Sequence, residues 1–348
     1  MARSTNVFAP VLLALLLTFL ASSVALVTWR AASGYLSELN ISDPEIAKHE
    51  PLLLHAPPRS TRRVVLVIID GLRLSDSFGL ATLDRARRAG VDAIATAHYP
   101  SISWPNHSTI LTGVPPLISG VRNNNYGKPV LIDSLMDRMQ AADLSATLVA
   151  DDSPSLAYMF TDDFEALYYG QWPGAFSKAT ELALSHDTSS LLVLIPGSVD
   201  VAGHEHGALS KEYAEASKQV EAQLASSLRL VDLQNDTLII TADHGHTDRG
   251  GHGGEEREVL EVPLIMAGAG IQSDALLGSA ELIDLAPTIA ALLGLPAPGH
   301  AFGRTLTEAL ALDEEERSLL QAADTARFAR NSAIYLESID AVADKVSR

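Results

Sequence analysis

The chain has 348 residues, a formal charge of −18 at pH 7, no cysteine, and 47% hydrophobic residues. The acidic balance argues against a surface that tracks nucleic-acid phosphates, which needs clustered Lys and Arg, and zero cysteines exclude disulfides and thiolate metal sites. The length suits one large α/β domain or two small ones, and the steady alternation of strand and helix signals in the middle favours one.

Val7 to Trp29 is almost continuously apolar, about 23 residues and long enough to cross a bilayer with some tilt. Residues 1–30 therefore read as a membrane anchor, with the rest of the chain on the extracytoplasmic side; Arg3 before the span and Arg30 after it leave charge asymmetry nearly silent. The alternative is secretion after signal cleavage, since Ser23-Val24-Ala25 offers small residues at a cleavage position. Residues 31–63 contain Pro44, Pro51, Pro57 and Pro58 without sustained periodicity, and read as a linker. Residues 64–312 form the main domain, and 313–348 a C-terminal helical extension.

Val64 to Ile69 is a strand signal that ends at Asp70-Gly71. Leu191 to Ile195 is a second, closing with Pro196-Gly197 and leading into Asp200 and His204. Leu238 to Thr241 is a third, delivering Asp243-His244-Gly245. Runs apolar at every position suit strands buried on both faces, so the expected fold is α/β, a mostly parallel central sheet with helices on both faces. Ligands collect beyond the carboxyl ends of such strands. An Asp after a strand is also a common helix cap or turn former, but three Asp/His clusters in one topological position point to a two-metal centre. Mixed carboxylate and imidazole donors suit zinc first and manganese second, rather than calcium or magnesium. Two ions about 3.5 to 4 Å apart would clamp both oxygens of an in-line phosphoryl displacement. Further on, Val262 to Gly268 reads as another strand and Leu282 to Leu295 as a helix containing Pro287. Residues 313–348 read as a polar helix with Leu319, Leu320, Phe328, Leu336 and Ile339 on its apolar side.

Between the first two clusters lies Tyr99-Pro100-Ser101-Ile102-Ser103-Trp104-Pro105-Asn106-His107-Ser108. Pro105 suits the first turn of a helix, where its missing N–H would be unpaired anyway. Ser103 then sits at the helix N-terminus, where free N–H groups and the dipole favour an alkoxide or a phosphoryl oxygen. A plain Ser cap is the competing reading, and Ser101 and Ser108 are rival hydroxyls.

The Ser103 to His107 segment resembles the nucleophile region of the alkaline phosphatase superfamily, in particular its type I phosphodiesterase/nucleotide pyrophosphatase branch, where Thr or Ser precedes an aromatic-Pro-Asn-His run. The resemblance implies an alkaline-phosphatase-like fold with two divalent ions, Zn2+ or else Mn2+. Asp70, Ser103, Asp243 and His244 would hold one, and Asp200, His204 and His252 the other. Gly120 to Tyr126 resembles the loop that supplies a catalytic Asn. Asn124 aligns best, acting with the backbone N–H after the nucleophile, while Asn123 and Asn125 read as turn formers. The compact stretch from Asp243 to Gly254 resembles instead the glycosylphosphatidylinositol ethanolamine-phosphate transferases. His246 competes there with His252 for the second ion. His98, His107 and His300 read as structural or solvent-facing.

The activity so implied is hydrolysis of phosphodiesters, as in nucleotide pyrophosphatases, through a phospho-Ser103 intermediate. Alternatives are a phosphoethanolamine-type head-group transferase, a phosphomonoesterase or sulfatase, and, outside enzymes, a silent phospho-ligand binding protein. The expected substrate is a small phosphodiester or a lipid head group, the membrane is contacted through residues 7–29, nucleic acid is not a partner, and no protein partner is inferred.

Overall fold

The computed structural model describes residues 8–41, 43–151, 155–160, 163–169, 174–186, 188–273 and 275–346. Residue 7, the first of the expected membrane span, lies outside them. The core is an eight-stranded sheet in the order β4-β3-β5-β1-β6-β7-β2-β8. The strands are β1 (Arg63–Ile68), β2 (Gly90–Thr96), β3 (Ala146–Ala150), β4 (Ala166–Tyr169), β5 (Leu191–Ile195), β6 (Asp236–Thr241), β7 (Glu261–Gly268) and β8 (Ala280–Glu281). Among the described residues only β7 runs against its neighbours, and the other pairings are parallel.

The strands with the longest apolar runs occupy the middle. β1, β5 and β6 are buried at every position, as their two-sided hydrophobicity demands. β2, near the edge, alternates buried and exposed residues instead. Helices Ala81–Ala89, Ala175–His186 and Lys211–Leu228 pack together as one layer. Helices Ser103–Thr112, Leu135–Ala141 and Leu285–Leu292 pack together as another.

Outside this core the structure departs from three sequence readings. The N-terminal helix runs from Phe8 to Glu38, past the anchor end expected at residue 30, and its stretch Val11–Tyr35 is long and apolar enough to cross a membrane. From Asn40 the expected linker is laced to the domain: the Asn40 carboxamide accepts the Arg122 and Asn123 N–H groups, and Ile46 is buried beside Val114 and Ile132. The C-terminal helix Glu314–Val346 is present and buries Leu320 of the expected apolar set in the core, but Leu319, Phe328, Leu336 and Ile339 stay exposed. Phe328 and Leu336 are 54% and 60% exposed, whereas Arg327 and Asn331 are buried. Arg327 donates to the Ala301 and Gly303 carbonyls and Asn331 to those of Gly299 and Ala301. The loop carbonyls facing this part of the helix need donors, and Arg327 and Asn331 supply them beside the buried Leu320.

Candidate metal centre

The carboxyl ends of β5, β1 and β6 lie side by side, which is why three clusters distant in sequence meet. The loops stay in register past the strands: the Ile69 N–H donates to Thr241 O at 2.9 Å and the Asp70 N–H to Pro196 O at 3.1 Å. Gly71, with φ of 74°, turns the chain there and donates its N–H to Asp243 Oδ1 at 3.2 Å. A Cβ at Gly71 would fall 2.8 Å from Asp200 Cα. Only glycine tolerates both the left-handed backbone and that approach.

One cluster is almost wholly buried. Ser103, the first residue of its helix, places Oγ 3.5 Å from Asp70 Oδ1 and 3.3 Å from His244 Nε2. His244 Nε2 is in turn 3.5 Å from Asp70 Oδ1 and 3.4 Å from Asp243 Oδ2. Donors about 2.0 to 2.1 Å from a tetrahedral zinc lie roughly 3.3 Å from one another, so these atoms have the spacing of a ligand set. Asp243 Oδ2 is buried without a hydrogen-bond partner among the described residues, as expected of an oxygen that serves a cation. Burial first, then the neighbouring Asp243 and Asp200 charges, push the Asp70 carboxyl well above the usual range. Burial likewise raises Asp243 and lowers His244 to about 4, keeping that imidazole neutral.

The second cluster opens to solvent. Asp200 and His204 sit one turn apart on helix Ser198–His206, hence on one face. Asp200 Oδ2 is 3.4 Å from His204 Nε2, which is 3.0 Å from His252 Nε2; that atom is 3.5 Å from Asp200 Oδ1. The His204 side chain is 51% exposed. Burial works to raise Asp200, but the hydrogen bond from His246 and the surrounding imidazoles hold it down at about 2. The two clusters share a wall, since the His244 and His252 rings stack with centroids 3.8 Å apart.

All the expected residues therefore converge, with Asn124 beside them: its Oδ1 accepts the Trp104 N–H at 3.0 Å. The two groups expected to act as paired donors are bonded to each other, so the Trp104 N–H is engaged and Asn124 Nδ2 is the remaining donor of that pair. Trp104 stacks on Tyr158 at 5.9 Å. His107, expected to be structural or solvent-facing, is fully buried, with Nδ1 2.6 Å from Ser155 Oγ and Nε2 3.3 Å from Asp243 Oδ2, and with Asp70 and Asp243 it forms a group that could hold an ion. The sequence reading missed Arg73, whose guanidinium holds the His246 carbonyl and, at 2.9 Å, the Asp248 carboxylate. It also missed Tyr213, whose hydroxyl donates to Gly71 O at 2.7 Å and accepts the Arg73 N–H at 3.0 Å. Their only sequence signal was adjacency to a motif for Arg73, and none for Tyr213.

Comparison with known proteins places this geometry. Human GPI ethanolamine phosphate transferase 2, catalytic subunit, is 26% identical over 280 residues, covering 72% of this chain but 28% of its own length. The chain thus spans little more than a quarter of that relative. An inactive murine ectonucleotide pyrophosphatase/phosphodiesterase 5 solved with AMP superposes with a TM-score of 0.59 at 15% identity, over 68% of this chain and 96% of that one. A protein in the alkaline phosphatase superfamily from Vibrio parahaemolyticus gives 0.55 at 15% identity, over 79% of this chain and 81% of that one. These superpositions establish the fold. Residues 64–257, more than half of the chain, match the type I phosphodiesterase/nucleotide pyrophosphatase family, and the chain belongs to that family within the alkaline phosphatase superfamily.

Proposed function

We propose that the protein is a two-metal phosphodiesterase that works through a phospho-Ser103 intermediate. The observation that carries this reading is Ser103 Oγ at a helix N-terminus, 3.5 Å from Asp70 Oδ1 and 3.3 Å from His244 Nε2, with the open Asp200 cluster beside it. Divalent ions, zinc first and manganese second, supply Lewis acidity when held by these two ligand sets, favouring the ionised serine and offsetting charge on phosphoryl and leaving oxygens. Ser103 Oγ attacks phosphorus in line; the new O–P bond forms as the bond to the leaving alcohol or phosphate oxygen breaks, and that oxygen takes a proton from water. Asn124 Nδ2 donates to a non-bridging oxygen as charge develops there. Water then attacks phospho-Ser103 from the vacated side and returns the serine.

The substrate on this reading is a small phosphodiester or a lipid head group, reached by a domain anchored through residues 7–29 on the extracytoplasmic side. The test is turnover of bis-p-nitrophenyl phosphate, p-nitrophenyl phosphate and p-nitrophenyl sulfate by the full chain in detergent with zinc or manganese. Diester preference supports the reading, and preference for monoester or sulfate overturns the substrate class.

A head-group transferase is the second reading. It is favoured by the resemblance to GPI ethanolamine phosphate transferases and by the short segment joining His244 to His252. An acceptor alcohol would replace water in the second step. Labelled phospho-Ser103 that persists in buffer and discharges only on adding an alcohol acceptor would decide for it.

A further inference from the structure

Three imidazoles crowd the junction of the two clusters, and the main-chain partner of Nδ1 sorts them into two kinds. His244 Nδ1 lies 3.1 Å from Gly245 O and His252 Nδ1 lies 3.0 Å from Ser101 O. A carbonyl only accepts, so in both rings the proton is on Nδ1 and the lone pair is on Nε2, the atom aimed at the clusters. His246 is wired the other way. Its Nδ1 accepts the Gly251 N–H at 3.2 Å, which places the ring proton on Nε2, 2.8 Å from Asp200 Oδ1.

A neutral ring with its lone pair engaged at Nδ1 has none left at Nε2 for an ion. The contact with Asp200 has the length of a charge-assisted hydrogen bond. The ring is held in a slot that leaves it little freedom. A Cβ at Gly203 would fall 2.5 Å from His246 Nε2, and one at Gly71 would fall 3.0 Å from it. Tyr213 packs edge-on with centroids 6.1 Å apart, and Arg73 holds the residue's own carbonyl.

We propose that His246 is a positioning residue: it donates from Nε2 to Asp200 Oδ1 and so aims that carboxylate at the ion it shares with His204 and His252, without ligating an ion itself. Outer-shell donors of this type fix ligand orientation, and their loss costs roughly 10- to 100-fold in metal affinity. The inference rests on the two-metal reading above.

The test compares native protein, H246Q and H246A as full chains. Zinc is counted by mass spectrometry after equilibration in zinc buffers, affinity is measured by chelator competition, and the cobalt-substituted forms are compared by visible absorption. Circular dichroism reports the fold. Gln keeps an N–H donor, so H246Q is expected to bind two ions with an unchanged cobalt spectrum and affinity within about tenfold of native. H246A is expected to lose roughly 10- to 100-fold for one ion. If H246Q holds a single ion or shifts the cobalt spectrum, His246 is a ligand and the proposal is wrong. It is equally wrong if both variants bind zinc as native does. Should H246A fail to fold, H246Q alone still decides between donor and ligand. Native protein that binds fewer than two ions would instead remove the two-metal reading itself, an outcome visible before any variant is made.

Discussion

The two halves of the candidate metal centre are built from the same residue types but sit in opposite electrostatic settings. The inner half, Asp70, Ser103, Asp243 and His244, is at most 7% exposed. Its carboxyls are pushed upward by burial and by neighbouring carboxylates, so without a cation each resists ionisation. The outer half hangs from a helix and a glycine-rich loop, its His204 half-exposed, and its single carboxylate is held low by a ring of imidazoles. The difference teaches that the inner site is a folded cavity in which a cation offsets a desolvation cost, whereas the outer site is a solvated claw. On the proposed two-metal reading, an inner ion would belong to the nucleophile and to the fold, and an outer ion would be the one to meet substrate and exchange.

The largest effect falls on the inner half. Ser103→Ala should lower kcat by about 10^4-fold or more, as loss of a nucleophile does, while both ions stay bound. Activity within tenfold of native would show that Ser103 is not the nucleophile. Zinc saturation comes next: at about 1,000 times Kd a single site adds roughly 4 kcal/mol to stability. Chelator should withdraw that gain in two phases, the outer ion leaving first. A single phase, read as zinc released against time, would erase the distinction between the halves.

His204→Ala should weaken one ion only, by no less than the roughly 10- to 100-fold that follows removal of an outer-shell partner, with the inner ion unaffected. Equal weakening of both ions would show that the halves are one site. The smallest expected effect is a pH slope in metal-free protein. Asp70 has a folded pKa raised above its unfolded value, so the folded state keeps the proton longer. Its stabilising contribution is complete below the unfolded pKa near 3.8 and disappears as pH rises through the folded value. Asp70→Asn, which mimics the protonated carboxyl, should flatten that slope in urea unfolding and bring metal-free protein at pH 7.5 to at least native stability, yet gain less from zinc. A slope as steep as native would remove Asp70 as its source.

The strands β1, β5 and β6 were legible because an unbroken apolar run is a local property, and an Asp directly after it needs no knowledge of distant residues. The place of Ser103 was legible because Pro105 marks a first turn. Less visible was the second layer. Tyr213 reaches Gly71 across 142 residues of sequence, and His107 faces Asp243 from inside a helix that reads as ordinary core. The C-terminal helix was legible only in part: Leu320 is buried as expected, but the surface beside it is a row of carbonyls that takes Arg327 and Asn331.

The sequence by itself determined the strands β1, β5, β6 and β7, the Asp-bearing ends of the first three, the donor types and the helix start at Ser103, since each follows from local periodicity and side-chain chemistry. Tertiary structure decided how the imidazoles divide. Whether a histidine presents a lone pair or a proton depends on which main-chain group meets its Nδ1. For His252 that group is the Ser101 carbonyl, 151 residues away. For His246 it is the Gly251 N–H, brought round by a glycine turn at Gly250 and Gly251 with φ of 92° and 87°. Residue type carries the capacity for both roles, and only the folded backbone chooses between them.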